Sequence, residues 1–135
     1  MKIIYLKYAW VPLLISLIIF YLCCLISFDN IPEVEIEWII PLDKVVHFLM
    51  FFGLSGATAI NYIHLKRGRV EMWKLLLGAF LLPILYGGFI EIIQHYFFPL
   101  RSGDWADFLA DLLGSLTALP VAIVFKNYLI KNRFR

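Results

Sequence analysis

Charged residues are scarce in this sequence. Asp, Glu, Lys and Arg make up 16% of its 135 residues, whereas a soluble domain contains about 25%. Hydrophobic residues make up 62%, which exceeds the roughly 45–50% found in soluble domains. This composition excludes an ordinary soluble domain and indicates a chain that is dissolved in lipid. The formal net charge of +2 carries little information as a total, but the positions of the charges are informative.

Cysteine is almost absent as well. Cys23 and Cys24 are adjacent, lie in an apolar run and have no third partner, which excludes a disulfide framework. Neither residue has the spacing of a cysteine metal site. We interpret both as small residues that face lipid or fill packing gaps. The sequence contains no internal repeat and no low-complexity tract.

Four apolar segments are long enough to cross a membrane. A bilayer core of about 30 Å is spanned by roughly 20 helical residues. The first segment is too long for the apolar region of a signal peptide, and no A-x-A cleavage site follows it. Because the connections are short, consecutive helices should pack as antiparallel neighbours. We therefore predict an all-α, four-helix transmembrane bundle in a single domain, residues 1–135, with spans at about 8–28, 44–64, 75–98 and 106–125.

Lysine and arginine indicate the orientation of the bundle. They are concentrated in the N-terminus, the second connection and the C-terminal tail, whereas the other two connections contain only Lys44 and Arg101. Cytoplasmic segments carry the excess of Lys and Arg in membrane proteins, so we predict that both termini are cytoplasmic. The residues on the predicted cytoplasmic side are Lys2, Lys7, Lys66, Arg67, Arg69, Lys74, Lys126, Lys131, Arg133 and Arg135.

Ionisable residues are concentrated at the predicted outer ends of three spans. A charged residue at the centre of a membrane helix costs about 2.5–3.5 kcal/mol, and such residues normally face the protein interior and mark a function. Spacings of three and four place those of each helix on one face. We therefore predict that three helix faces meet in one outer polar site. Its members are Asp43, Lys44 and His47, then Glu91, Gln94 and His95, and finally Arg101, Asp104, Asp107 and Asp111.

Packing alone is the competing explanation for these residues. Polar side chains join membrane helices with about 0.6–2 kcal/mol each, but one Asn or Ser would suffice for that purpose. Five carboxylates outnumber the two fixed cations, Lys44 and Arg101. A low-dielectric site requires protonated carboxylates, charged histidines or a bound cation to offset that excess. Small residues should allow the helix backbones to approach closely, namely Gly53, Gly56, Gly87, Gly88 and Gly114.

Three blocks of sequence resemble the VanZ-like family of bacterial membrane proteins. Residues 43–51 are similar to its D-K-x-x-H-x-x-x-F, residues 91–94 to its E-x-x-Q, and residues 101–114 to its R-x-x-D-x-x-D-x-x-A-N-x-x-G. Asp111 departs from the pattern, since the family more often has Asn there. The resemblance implies a four-helix multi-pass protein of the bacterial cytoplasmic membrane. It also implies a link to the cell envelope, because the founding member is associated with teicoplanin resistance.

The first functional hypothesis is an enzyme that modifies a phosphate-containing lipid or a lipid-linked envelope precursor. Arg101 would clamp phosphate oxygens, and Lys44 would add positive charge. His47 would be the general base or nucleophile, oriented by Asp43 or another carboxylate. Glu91 would be the general acid, since burial favours its protonated form. We thus predict catalytic roles for His47, Glu91 and Asp107, and ligand-binding roles for Asp43, Lys44, Gln94, Arg101 and Asp111.

Other functions are compatible with the same residues. Asp107 and Asp111 would orient neighbouring groups or hold a divalent cation, the one cofactor under consideration. The main alternative is a non-catalytic resistance protein that binds a lipid or a glycopeptide antibiotic. Proton or cation movement is disfavoured because no ionisable chain reaches the cytoplasmic half of the spans. In either main hypothesis the expected partner is a membrane lipid or a lipid-linked phosphate, and we expect no nucleic acid.

Overall fold

The fold is a bundle of four helices. The computed structural model describes residues 2–25, 41–98 and 104–132. This part of the chain contains no strand, so the predicted all-α bundle is confirmed. The helices are α1 (Lys2–Phe20, continued by a π-helical turn at Tyr21–Leu25), α2 (Leu42–Leu65), α3 (Met72–Phe97) and α4 (Trp105–Asn132).

The outer surface of the bundle is apolar. Helices α2, α3 and α4 are each long and apolar enough to cross a membrane, and the apolar part of α1, Trp10–Leu25, is shorter. Large hydrophobic side chains point outward along every helix, which is unfavourable in water and favourable in lipid. The protein is therefore a membrane protein. Examples of these exposed side chains are Leu13, Leu17, Leu49, Leu85, Leu113 and Val124.

Helix α4 is longer than the sequence predicted. It continues beyond residue 125 to Asn132, because its last turns pack against the connection between α2 and α3. Gly68 lies there with a φ of +79°, and a Cβ on it would come within 2.8 Å of the Ile130 side chain. The hydropathy pattern marks only the apolar part of the helix and does not detect this additional packing.

Helix α3 contains a π-helical turn at Leu77–Leu81, directly before Pro83. Proline has no N–H to donate to the carbonyl four residues earlier, and its ring crowds that carbonyl. A widened turn at this point accommodates both effects. The distortion of α3 therefore lies on the N-terminal side of the proline.

The most extensive contact between described helices joins α2 and α4, which are not consecutive. Gly114 makes this contact close, since a Cβ on it would collide with the carbonyl oxygen of Phe48. Gly56 faces Ala118 at an ordinary distance of 4.0 Å. No atom of the described residues lies within 4 Å of the Cβ position of Gly53, so the expectation that it permits close approach is wrong. The contact brings the first turns of α2 and α4 side by side.

The apolar cluster nearest the site includes residues from α1, α2 and α3. Phe51, Ile90 and Ile19 are buried there, together with Cys23 and Cys24. The two cysteines are at most 3% exposed and are not joined in a disulfide. They are therefore packing residues, and the alternative that they face lipid is wrong.

Candidate functional site

Lys44 forms the outer part of the site. Its Nζ donates hydrogen bonds to Asp107 at 2.7 Å, Asp104 at 2.9 Å and Asp43 at 3.2 Å. Because Lys44 and Asp43 begin α2 while the other two residues begin α4, the lysine ties the two helices together. Three carboxylates surround one ammonium group, so this part of the site has an excess of negative charge.

Asp104 also closes the N-terminus of α4. Its Oδ1 accepts the backbone N–H of Ala106 at 2.9 Å, as capping residues do at helix N-termini. This backbone hydrogen bond, followed by the bond from Lys44, holds the pKa of Asp104 below its ordinary value. The residue therefore stays ionised at neutral pH and serves two structural contacts at once.

A second, buried group lies deeper between the helices. His47 Nδ1 is 2.9 Å from Asp111 Oδ1, and it is 4.0 Å from Glu91 Oε1. Asp111 is completely buried and His47 is 8% exposed. The other ring nitrogen, Nε2, faces Cys23 Sγ at 4.0 Å. The polar neighbours of the imidazole are thus divided, with carboxylates on the Nδ1 side and a thiol on the Nε2 side.

Glu91 connects the two groups. Its Oε2 accepts the backbone N–H of Asp104 at 2.9 Å, while Oε1 points toward His47. Oε1 of Glu91 and Oδ2 of Asp111 are both buried, and neither has a hydrogen-bond partner among the described residues. Leaving a buried carboxylate oxygen unpaired is costly, so these two atoms indicate that something binds or protonates them.

Two glycines of α3 make room around Glu91. A Cβ on Gly87 would lie 2.7 Å from Asp111 Oδ2 and 3.1 Å from the Phe51 ring. A Cβ on Gly88 would lie 3.4 Å from the Phe108 ring. Side chains at these positions would displace Asp111 or narrow the space next to Glu91.

A cleft of about 340 Å³ lies between α3 and the start of α4. Glu91 forms part of its wall, and so reaches from the cleft to the buried histidine. Most of the lining is aromatic or aliphatic, which suits the chains of a lipid. The lining residues are Gly88, Glu91, Ile92, His95, Tyr96, Asp104, Trp105 and Phe108.

The comparison with protein families assigns the chain to one family. The model of the VanZ/LLP1 family matches residues 6–126. The chain belongs to the VanZ/LLP1 family. The resemblance noted from the three sequence blocks is therefore confirmed. No match was found among curated proteins or among solved structures.

In this VanZ/LLP1 protein, most of the sequence-predicted site residues lie close together. Gln94 is separate, because its Nε2 donates to the carbonyl of Cys23 at 2.8 Å and so joins α3 to α1. Arg101 lies outside the described residues. The residues connected through Lys44, His47 and Glu91 are Asp43, Lys44, His47, Glu91, Asp107 and Asp111.

Asp111, rather than Asp43, orients His47 in this VanZ/LLP1 protein. Asp43 shares a helical face with His47, but its carboxylate binds Lys44. Sequence reasoning also missed Cys23, which contacts the imidazole from α1. No sequence signal distinguishes Cys23, since its neighbours are apolar and α1 carries no ionisable motif. Asp104 was predicted to belong to the outer polar site, and only the structure shows that it contacts both Lys44 and Glu91.

The buried group of this VanZ/LLP1 protein also has the composition of a metal site. His47, Glu91 and Asp111 each offer one ligand atom, and these atoms all lie within 4.8 Å of one another. Without a metal, the same three groups can hold and transfer a proton. The arrangement can therefore support acid–base chemistry or the binding of a cation.

Proposed function

We propose that this protein is an enzyme of the bacterial cytoplasmic membrane that modifies a phosphate-containing lipid or a lipid-linked envelope precursor. The reaction takes place in the outer leaflet, at the level of the polar site. The observation that carries the proposal is the position of Glu91. One face of this residue lines a cleft of about 340 Å³, and its Oε1 points to a buried histidine and aspartate.

Glu91, His47 and Asp111 form the acid–base group of the proposed enzyme. A carboxyl group or imidazole transfers a proton efficiently when it is held at the reacting atom in a fixed orientation. Asp111 accepts a hydrogen bond from His47 and fixes the ring, and the Asp104 N–H fixes Glu91. Because Glu91 alone among the three lines the cleft, it is the member that meets the substrate.

Lys44 does not act as a phosphate ligand in this proposal. Three carboxylates already surround its Nζ, so an incoming phosphate would meet more negative than positive charge. Its role is to position Asp107 and Asp104 at the start of α4. Arg101, three residues before Asp104 in the sequence, is assigned to the phosphate, because a guanidinium group binds two phosphate oxygens at once.

The cleft supplies the apolar part of the binding site. Half of the lining residues have large aromatic or aliphatic side chains, namely Ile92, Tyr96, Trp105 and Phe108. Tyr96 and Trp105 are strongly exposed on the membrane-facing surface. A lipid chain that lies against these side chains would place its head group beside Glu91 and Asp104. This arrangement supports a substrate that enters sideways from the outer leaflet.

Turnover of defined lipids by the purified protein tests the proposal. The protein is reconstituted in vesicles of phosphatidylglycerol and phosphatidylethanolamine with a polyprenyl diphosphate, and products are measured by mass spectrometry. Glu91→Gln keeps the shape of the side chain, and we expect it to lower turnover about 100- to 10,000-fold, as the loss of a proton-transfer group does. Glu71→Gln is the matched control, because Glu71 is exposed and pairs with Lys74 at the other end of α3.

Two results would contradict the proposal. One is Glu91→Gln protein that is folded and turns over lipid as fast as the wild type. The other is wild-type protein that modifies none of these lipids. If that protein nevertheless retains one lipid class through purification, the alternative of a non-catalytic binding protein is favoured, since the apolar lining of the cleft suits binding without reaction.

A further inference from the structure

We infer that His47, Glu91 and Asp111 form a binding site for a divalent transition-metal ion, of which Zn²⁺ is the representative probe. The ligand atoms are Nδ1 of His47, Oε1 of Glu91 and a carboxylate oxygen of Asp111. The inference goes beyond the proposed function, because an ion can bind at this site whether or not the protein turns over lipid.

The distances between these atoms suit a metal ion. Zinc lies about 2.0–2.2 Å from nitrogen and oxygen ligands in a tetrahedral arrangement, which separates neighbouring ligand atoms by about 3.3–3.6 Å. His47 Nδ1 is 2.9 Å from Asp111 Oδ1 and 4.0 Å from Glu91 Oε1. To bind the ion, the distance from His47 to Asp111 must increase and the distance from His47 to Glu91 must decrease, each by a few tenths of an ångström. Rotation of the side chains allows both changes.

Unpaired oxygens provide an independent reason to place a cation here. Within the part of the chain that the structure describes, Glu91 Oε1 and Asp111 Oδ2 are buried without a hydrogen-bond partner, and the Asp111 side chain is 0% exposed. Carboxylates are buried at low cost only when they are paired or coordinate a metal. Gly87 leaves the space next to Asp111 Oδ2 that a larger residue would fill.

The charges balance for an ion of charge +2. The positive charge of Lys44 is already offset by Asp43, Asp104 and Asp107. It therefore does not offset the negative charges of the deeper carboxylates, Glu91 and Asp111. Two carboxylates and one neutral imidazole then offset a divalent cation. The ion would take the place of the proton between His47 and Asp111.

The donor set limits which ions fit. One imidazole nitrogen with two carboxylate oxygens suits Zn²⁺, Mn²⁺ or Fe²⁺, whereas Ca²⁺ and Mg²⁺ prefer oxygen ligands alone. Cys23 is not a ligand, because its Sγ lies on the Nε2 side of the ring. With the ion on Nδ1, the Nε2–H points at this sulfur, so the thiol becomes an outer contact that orients the imidazole.

Metal content and affinity test the inference directly. Purified protein in detergent is dialysed against Zn²⁺, and bound metal is measured by plasma mass spectrometry. We expect about one ion per chain in the wild type. Loss of an outer-shell partner costs about 10- to 100-fold in affinity, so Glu91→Gln and Asp111→Asn, which remove direct ligands, should each cost more than about 100-fold.

A matched variant provides the control. Glu71→Gln makes the same change as Glu91→Gln at an exposed position, and it should bind Zn²⁺ as the wild type does. If the wild type binds no stoichiometric ion, or if Glu91→Gln and Asp111→Asn bind as tightly as it does, the inference is wrong.

An X-ray absorption spectrum of the wild-type zinc protein keeps the test decisive if a variant fails to fold. One imidazole with oxygen ligands is expected, and a sulfur ligand at about 2.3 Å would overturn the inference. The outcome is separate from that of the proposed function. Lipid turnover by a protein that binds no metal would support the proposed function and contradict the metal site. Metal binding by a protein that turns over no lipid would support the metal site and contradict the proposed function.

Discussion

Gly114 holds α2 and α4 together at the level of the site, and its replacement by alanine tests the role of that contact. The new methyl group would collide with the Phe48 carbonyl oxygen, which is backbone and cannot rotate away. The two helices must therefore move apart. Phe48 follows His47 directly, and Gly114 lies three residues after Asp111, so the same movement lengthens the 2.9 Å contact between His47 and Asp111.

The expected loss of stability follows from two opposing effects. Overpacking costs about 1–3 kcal/mol, and alanine favours a helix over glycine by about 0.5–1 kcal/mol. We expect a net loss of about 1–2 kcal/mol for Gly114→Ala. Clearing the collision requires a shift on the order of 1 Å, and a misplacement of that size costs about 100-fold in a catalytic rate.

Gly53→Ala is the matched control, because Gly53 lies on α2, the partner of α4 in this contact, and no described residue comes within 4 Å of its Cβ position. It should leave stability unchanged or raise it by up to about 1 kcal/mol. Unfolding in a denaturing detergent, followed by circular dichroism, compares both variants with the wild type, and lipid turnover is measured on the folded fraction. Equal stability and turnover in the wild type and Gly114→Ala would refute the close contact.

Three further predictions concern charge and topology. Lys44→Met should destabilise the protein by about 1–3 kcal/mol, since the largely buried Asp107 loses its partner, and Lys44→Met/Asp107→Asn should lose less than the sum of the two single changes in a double-mutant cycle. Because the pKa of Asp104 lies below its ordinary value, its ionised form stabilises the fold at neutral pH, and this contribution disappears as the pH falls below about 4. Thermal unfolding measured against pH should therefore fall more steeply in acid for the wild type than for Asp104→Asn, and equal slopes would argue against this role. Reporter fusions test the orientation, with cytoplasmic signals expected after Arg69 and Arg135 and an external signal after Trp38.

The sequence predicts the helices well because a lipid environment leaves a simple signal. Apolar runs mark α2 and α3 to within a few residues. The start of α1, at Lys2 instead of about residue 8, was missed, and so was the end of α4, where Ile130 packs on Gly68. The depth of the polar residues in the membrane also follows from the sequence, because the ionisable residues of three spans lie at similar distances from the predicted outer ends of those spans.

The partners of each polar residue could not be predicted. Helical spacing relates Asp43 to His47 within α2, but the choice of Asp111 depends on how closely α4 approaches, which Gly114 and the Phe48 backbone determine. Gln94 and Cys23 show the same limitation. Their contact joins α3 to α1, and no periodicity within one helix contains information about a contact between two helices.

The π-helical turn at Leu77–Leu81 has a consequence for how α3 tolerates insertions and deletions. Such a turn holds one residue more than an α-helical turn over a similar path, and each residue of an α-helix advances the side-chain direction by about 100°. Deleting one residue from this turn would let it close to an α-helical turn, and Gly87 and Glu91 would keep their direction relative to the first turns of α3. Deleting one residue from the regular helix between Leu82 and Glu91 would instead rotate the residues on either side by about 100° relative to each other. The helix therefore tolerates a deletion best ten or more residues before Glu91, in an apolar stretch that carries no polar side chain.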